Sequence, residues 1–158
     1  MNALGEAIGT LCKIVLPISE ESYHGNPKSS LAVCTLSSIN LLKKFQNSEI
    51  LSQISIAGRL LSENKGIDSI VRYLSKHQNI TTLIICGKEV WGHKAGHSLL
   101  KLHKNGIDEN KRIIGSTSPD PYLIVSEIQI KHFQQNVGIV NLTNQTNFEQ
   151  IIKKIKIN

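Results

Sequence analysis

Apolar positions along the chain follow two rhythms, short continuous runs and stripes with a period near 3.6. Residues 31–36 (LAVCTL) are a short apolar run and read as a strand. In 38–47, Ile39, Leu42 and Phe45 share one helical face, and 54–57 (ISIA) reads as a second strand ending at Gly58. Ser62 is a candidate N-cap for a helix through Lys76, with Ile67, Ile70, Val71 and Leu74 as its apolar stripe. Residues 81–86 (TTLIIC) are β-branched and apolar throughout, the pattern of a strand buried on both faces.

The same rhythm continues to the end of the chain. A helix opens near His93 or Lys94 and stops at Asn105-Gly106, a C-cap pair. Arg112-Ile113-Ile114 reads as a short strand, followed by a turn-rich stretch from Gly115 to Pro121. Ser126 caps a helix containing Ile130 and Phe133, Val137 to Leu142 form the last strand, and Phe148, Ile151, Ile152 and Ile155 mark a closing amphipathic helix over 147–158. Strands alternating with helices predict an α/β fold, a Rossmann-like three-layer domain with a mainly parallel sheet flanked by helices. No repeat or low-complexity linker divides 1–158, so a single domain is expected, with 1–16 as an N-terminal docking segment. Ligands of such folds sit beyond the carboxyl ends of the strands, which directs attention to 35–40, 57–64, 87–98 and 115–122.

Composition narrows the function classes. The chain of 158 residues is 40% hydrophobic and 19% charged, with a formal net charge of +6. Lys and Arg are scattered and the few aromatics are dispersed, which argues against a nucleic-acid-binding stripe. Three cysteines, Cys12, Cys34 and Cys86, with no CxxC spacing, fit a reducing cytoplasm and no disulfide framework. No apolar run reaches the roughly 18 residues of a membrane span, and the first residues lack a signal-peptide pattern. A soluble cytoplasmic protein without a direct membrane span is the expectation.

Chemistry concentrates in residues 86–98, CGKEVWGHKAGHS. Gly87, Gly92 and Gly96 allow sharp turns and admit a bulky group close to the main chain. His93 stands at the mouth of the sheet near a helix N-terminus, whose positive end favours the neutral, metal-ligating imidazole. Glu89 is near enough in sequence to hydrogen-bond that imidazole. A histidine in a loop is also commonly a solvated or structural residue. His93 and His97, four apart, could instead share a zinc ion in a metal-dependent hydrolase, although the Glu of H-E-x-x-H is missing. Neither a P-loop nor GxGxxG nor G-x-S-x-G occurs.

The segment resembles the signature G-x-E-V-x-G-H-x-x-G-x-S of the family formed by the corrinoid-bearing A subunits of tetrahydromethanopterin S-methyltransferase, through Gly87, Glu89, Val90, Gly92, His93, Gly96 and Ser98. Ala57-Gly58, then Ser62-Glu63-Asn64 and Gly66-Ile67-Asp68, are similar to that family's A-G and T-E-N-x-G-I-E. Asn79-Ile80 with Leu83-Ile84 and Cys86-Gly87, Asn105-Gly106-Ile107-Asp108, and Lys111 through Gly115 match in kind, so the resemblance spans about 15–142. It implies a Rossmann-like domain holding a cobamide, a cobalamin-type corrinoid, with His93 as the axial cobalt ligand. It further implies that a methyl group passes from a methyl-tetrahydropterin to cobalt and then to a thiol such as coenzyme M. The implied partners are the methyltransferase subunits that donate and accept the methyl group.

Residues implied around the cofactor are Gly58, Ser62, Asn64, Gly87, Glu89, Gly92, His93, Gly96, Ser98, Gly115 and Pro121, with 57–64 and 115–121 as walls of the cleft. No catalytic residue independent of the corrinoid is expected. The site is also similar to the D-x-H-x-x-G of other corrinoid-binding domains, but Trp91 stands where the Asp would be. Relatives of the membrane complex commonly continue into a C-terminal hydrophobic anchor, so the resemblance is to a form lacking it. The alternative reading is an α/β binding module that has lost its corrinoid.

Overall fold

The computed structural model describes residues 21–157; the segment 1–16 and Cys12 lie outside them. Five strands, β1 (Ser22–His24), β2 (Leu31–Cys34), β3 (Ile56–Gly58), β4 (Thr82–Ile85) and β5 (Gly138–Asn141), form one sheet in the order β1-β3-β2-β4-β5. The β3, β2, β4 and β5 strands are parallel, and β1 pairs antiparallel with β3. Among the described residues five α-helices flank it: α1 (Ile39–Gln46), α2 (Lys65–Lys76), α3 (Ala95–Asn105), α4 (Glu127–Asn136) and α5 (Phe148–Ile157). The α/β, mainly parallel, Rossmann-like expectation is what the structure shows.

The period-2 geometry of the central strands explains the three layers. Ala32 and Cys34 of β2, with Leu83 and Ile85 of β4, face a core built with Val71 and Leu74 of α2, Leu99 and Leu102 of α3, and Phe133 of α4. The intervening Val33 and Ile84 face the other side, against Leu41, Leu42 and Phe45 of α1 and Ile151 and Ile155 of α5. Phe45 meets Phe148 edge to face at 5.1 Å, and burying a side chain such as Phe45 contributes about 2 kcal/mol. Cys34 and Cys86 are buried, and burial, with Cys34 nearby, pushes the Cys86 thiol far up. Burial of both is what their strand-like surroundings predict. No helix among the described residues is long and apolar enough to cross a membrane.

Several boundaries differ from the sequence reading. Ile54 is buried in the core after a short 3-10 helix (Glu49–Gln53), so pairing of β3 begins two residues later, at Ile56. Arg112-Ile113-Ile114 is not a strand of the sheet; it makes isolated antiparallel bridges, Ile107 with Ile113 and Arg112 with Tyr122. The N-cap of α2 is Asn64, not Ser62, although the Ser62 hydroxyl accepts from Gly66 N–H at 2.8 Å within the same turn. Ser126 does cap α4, in a reciprocal capping box with Gln129.

From β2 the chain crosses to β3 on one side, and from β4 it proceeds to β5 on the other. The loops after β2 and β4 therefore diverge at a topological switch point, the usual ligand position of open α/β sheets.

Candidate functional site

The loop after β4 is held rigidly at its root. Gly87, at φ +79°, donates its N–H to Gln145 O and accepts from Asn144 N–H, and Glu89 N–H reaches Asn144 Oδ1 at 3.0 Å. Across the switch point, Ser37 donates to Lys88 O, and Lys88 N–H donates to Ser38 Oγ, at 2.8 Å each. A Cβ on Gly87 would collide with Thr35 O. Gly87 therefore lets the roots of the two loops approach each other, and a cavity of about 330 Å³ beside them is lined by Ser37, Ser38, Asn40 and Lys88. Gly96 likewise makes room for the protein itself, since a Cβ there would press on the Glu89 carboxylate and Leu36. Only Gly92, also at φ +79°, faces open space.

Glu89 has a different role from the one its position suggests. Its carboxylate accepts N–H groups from Val90 (2.7 Å), Gly96 (2.9 Å) and His97 (2.7 Å), and so occupies the positive end of α3. This carboxylate cap accommodates the left-handed backbone of Lys94, at φ +49°, where a side-chain cap is missing. The imidazole of His93 is thus neither paired with Glu89 nor seated on the helix end, which begins two residues later.

The partner of His93 comes from another loop. Nδ1 of His93 lies 2.8 Å from Oε2 of Glu63, in the turn between β3 and α2. Glu63 is 1% exposed while the His93 side chain is 57% exposed. The other Glu63 oxygen accepts Asp120 N–H at 3.0 Å. Burial pushes the Glu63 carboxyl up, but hydrogen bonds from the backbone N–H groups of Glu63 and Asp120, together with the His93 imidazole, outweigh it and hold the group below its ordinary value. An ionised carboxylate only accepts, so Nδ1 is assigned as the donor of this hydrogen bond. Nε2 takes no part in it, on an imidazole that is largely exposed.

The loop 115–121 closes the other side of this turn. Asn64 donates to Asp120 Oδ2 at 2.9 Å. Ser98, fully buried on α3, meets Ser116 Oγ at 2.7 Å and Ser118 Oγ at 2.6 Å. Ser116 Oγ also accepts Ser118 N–H, and Ser118 Oγ donates to Lys94 O at 3.2 Å. One arrangement satisfies every hydroxyl: Ser116 donates to Ser98, Ser98 to Ser118, and Ser118 to Lys94 O. Gly115, at φ +81°, makes the turn into this loop, and Pro121 is buried with its carbonyl accepting Ile113 N–H.

Of the residues singled out from sequence, Ser62, Asn64, Glu89, Gly92, His93, Gly96, Ser98 and the 115–121 loop are brought into one linked region. Gly58 stands apart, lining a shallow groove of about 180 Å³ with Cys34, Ile70 and Tyr73 between the sheet and α2. His97 does not join His93 on a metal: its Nε2 accepts from Thr117 N–H at 3.3 Å. Among the described residues no three His, Cys, Asp or Glu side chains are grouped to hold a metal ion. Glu63, which the sequence offers only as part of the Ser62-Glu63-Asn64 resemblance, is the further residue that the fold brings to the site.

Fold and site together define an α/β domain that presents, beside its switch point, a histidine oriented by a buried carboxylate. Residues 14–158 match the family of the A subunit of tetrahydromethanopterin S-methyltransferase, and the chain belongs to that family. A Methanosarcina barkeri protein, provisionally named as the A subunit of a methyltransferase Mtx, is 40% identical over 143 residues, covering 89% of this chain and 68% of that relative. Methanothermobacter thermautotrophicus has two numbered A subunits of tetrahydromethanopterin S-methyltransferase that are similar to this chain. The one numbered 1 is 37% identical, covering 84% of this chain but 54% of its own length, so the chain spans about half the length of that relative. The one numbered 2 is 33% identical, covering 89% of this chain and 79% of its own length.

Proposed function

We propose that the chain is the corrinoid-bearing part of a methyltransferase system, with Nε2 of His93 as the axial cobalt ligand of a cobamide. One observation carries this reading: the buried carboxylate of Glu63 engages Nδ1 of His93 and so leaves Nε2 as the ring nitrogen free to face a ligand, on a largely exposed imidazole. The relatives' names, which join tetrahydromethanopterin to an S-methyltransferase, support the same class of chemistry. The donor would be a methyl-tetrahydropterin, the acceptor a thiol such as coenzyme M, and the partners the subunits that bind each.

The residues present fit such a group. His93 would supply the nitrogen donor through Nε2, Gly92 leaves the space beside it open, and Glu63 would take the place of the carboxylate that other corrinoid domains carry two residues before the histidine. A corrinoid bound there would supply a cobalt centre able to accept and release a methyl group. The chain's contribution is to set the donor strength of Nε2. The hydrogen bond from Nδ1 to the Glu63 carboxylate would raise the electron density of the ring and so strengthen Nε2 as a donor to a metal. The Asp120 N–H limits how much negative charge Glu63 offers, and the Asn64–Asp120 hydrogen bond steadies that N–H.

The test is anaerobic reconstitution with hydroxocobalamin, followed by the visible spectrum of wild type and His93→Ala. Retained corrinoid with a spectrum altered by the substitution is expected. A protein that retains none, or retains it with the same spectrum in both forms, overturns the assignment.

A further inference from the structure

Trp91 is the chain's single tryptophan, and it is 96% exposed. An indole left wholly in water forgoes a large burial gain, and a rigidly held exposed aromatic is the usual form of a binding anchor. The loop that carries it is anchored on both sides: Gly87 and Glu89 bond to the turn before α5, Lys88 bonds to the turn before α1, and the Glu89 carboxylate clasps Val90, Gly96 and His97. Lys94 N–H closes the turn onto Val90 O at 2.8 Å. The tip of the loop, Trp91-Gly92-His93, therefore projects from a fixed base without side-chain contacts that bury the indole.

We infer that Trp91 is the platform against which the ligand of His93 rests, and that its occupant is the corrin macrocycle itself. This rests on the proposed cobalt ligation by His93. Trp91 lies two residues from His93 in one turn, and the position between them, Gly92, has nothing within 4 Å of where a side chain would begin. A macrocycle held by His93 would cover the chain neighbours of that residue, and Trp91 is the largest of them. The cavity beside the switch point, lined by Ser37, Ser38 and Lys88, does not include His93. A ligand of the exposed His93 imidazole is held at the loop tips, and there Trp91 offers the largest apolar face. The chemistry matches: a corrin rim carries methyl groups that pack on an indole face and carboxamides that accept from its N–H. Trp91 occupies the position that other corrinoid domains give to a carboxylate; Glu63 supplies that carboxylate from another loop, which frees the position for contact with the ring.

Binding of hydroxocobalamin to the full chain is measured by equilibrium dialysis with corrinoid absorbance as readout, for wild type, Trp91→Phe, Trp91→Ala and His93→Ala. Trp91→Phe should bind within about twofold of wild type, and Trp91→Ala about tenfold more weakly with an unchanged axial-ligand spectrum. The exposed side chain contributes no core packing, so the thermal midpoint of Trp91→Ala should equal that of wild type. Equal affinity of Trp91→Ala and wild type overturns the platform while leaving His93 ligation standing. Equal affinity combined with impaired methyl transfer from a partner protein would assign Trp91 to protein docking instead. Absence of binding by wild type overturns the proposed function itself.

Discussion

His93 was legible as a candidate ligand because glycines, a strand end and a helix start converge on it. Its partner was not, because Glu63 lies 30 residues away in sequence, between two helix-capping side chains where a carboxylate ordinarily points to water. Glu89 was the nearer choice, but in the folded chain the unsatisfied N–H groups at the start of α3 claim it. The depressed Glu63 carboxyl has a consequence for stability. Its folded-state value lies below its ordinary 4.5, so the group favours the folded state above that pH and loses this contribution as pH falls through the lower folded value. Wild type should therefore exceed Glu63→Gln in urea midpoint at pH 7, and the difference should shrink below pH 4.5. A difference independent of pH between about 7 and 3 would mean that the carboxylate charge is not what Glu63 contributes.

At the level of elements, the helices and central strands follow closely from periodicity, since each has one face or both committed to a core. The errors fall where tertiary pairing decides: β3 starts two residues late because Ile54 is buried elsewhere, and Ile113 is buried by a local bridge outside the sheet. The opening of α3 belongs to the same class. Lys94 cannot cap it, so Glu89 does so from five residues upstream of Lys94. Glu89→Ala should destabilise the chain by about 1–2 kcal/mol, the usual range for a lost cap with buried donors left unpaired. In native-state hydrogen exchange, the amides of Gly96 and His97 should exchange faster than in wild type. Unchanged exchange at both would show that water replaces the carboxylate without loss.

Across the whole molecule, the site is assembled from loops that lie far apart in sequence but are bonded to one another. Glu63 joins the β3–α2 turn to His93 and to Asp120, and Ser98 joins α3 to the loop at 116–118. The prediction is that hydroxocobalamin, on binding, raises hydrogen-exchange protection together in 59–64, 87–94 and 115–121. Protection confined to 87–94 would mean that the hydrogen-bonded connections do not carry the effect of ligation. The sheet order could be anticipated only as mainly parallel, because strand sequence alone does not say that β2 and β4 are neighbours or that β1 runs against the rest.

Among the described residues β1 and β5 are the two outer strands of the sheet, β1 of three residues and β5 of four. Either flank is therefore a place where another polypeptide could add a strand, and each is a short stretch for a foreign strand to grip. β5 opens on a glycine and is exposed at both ends. Fibre-like growth through these flanks is discouraged by brevity rather than by charge, so lengthening β1 or β5 is the change that would expose the chain to it.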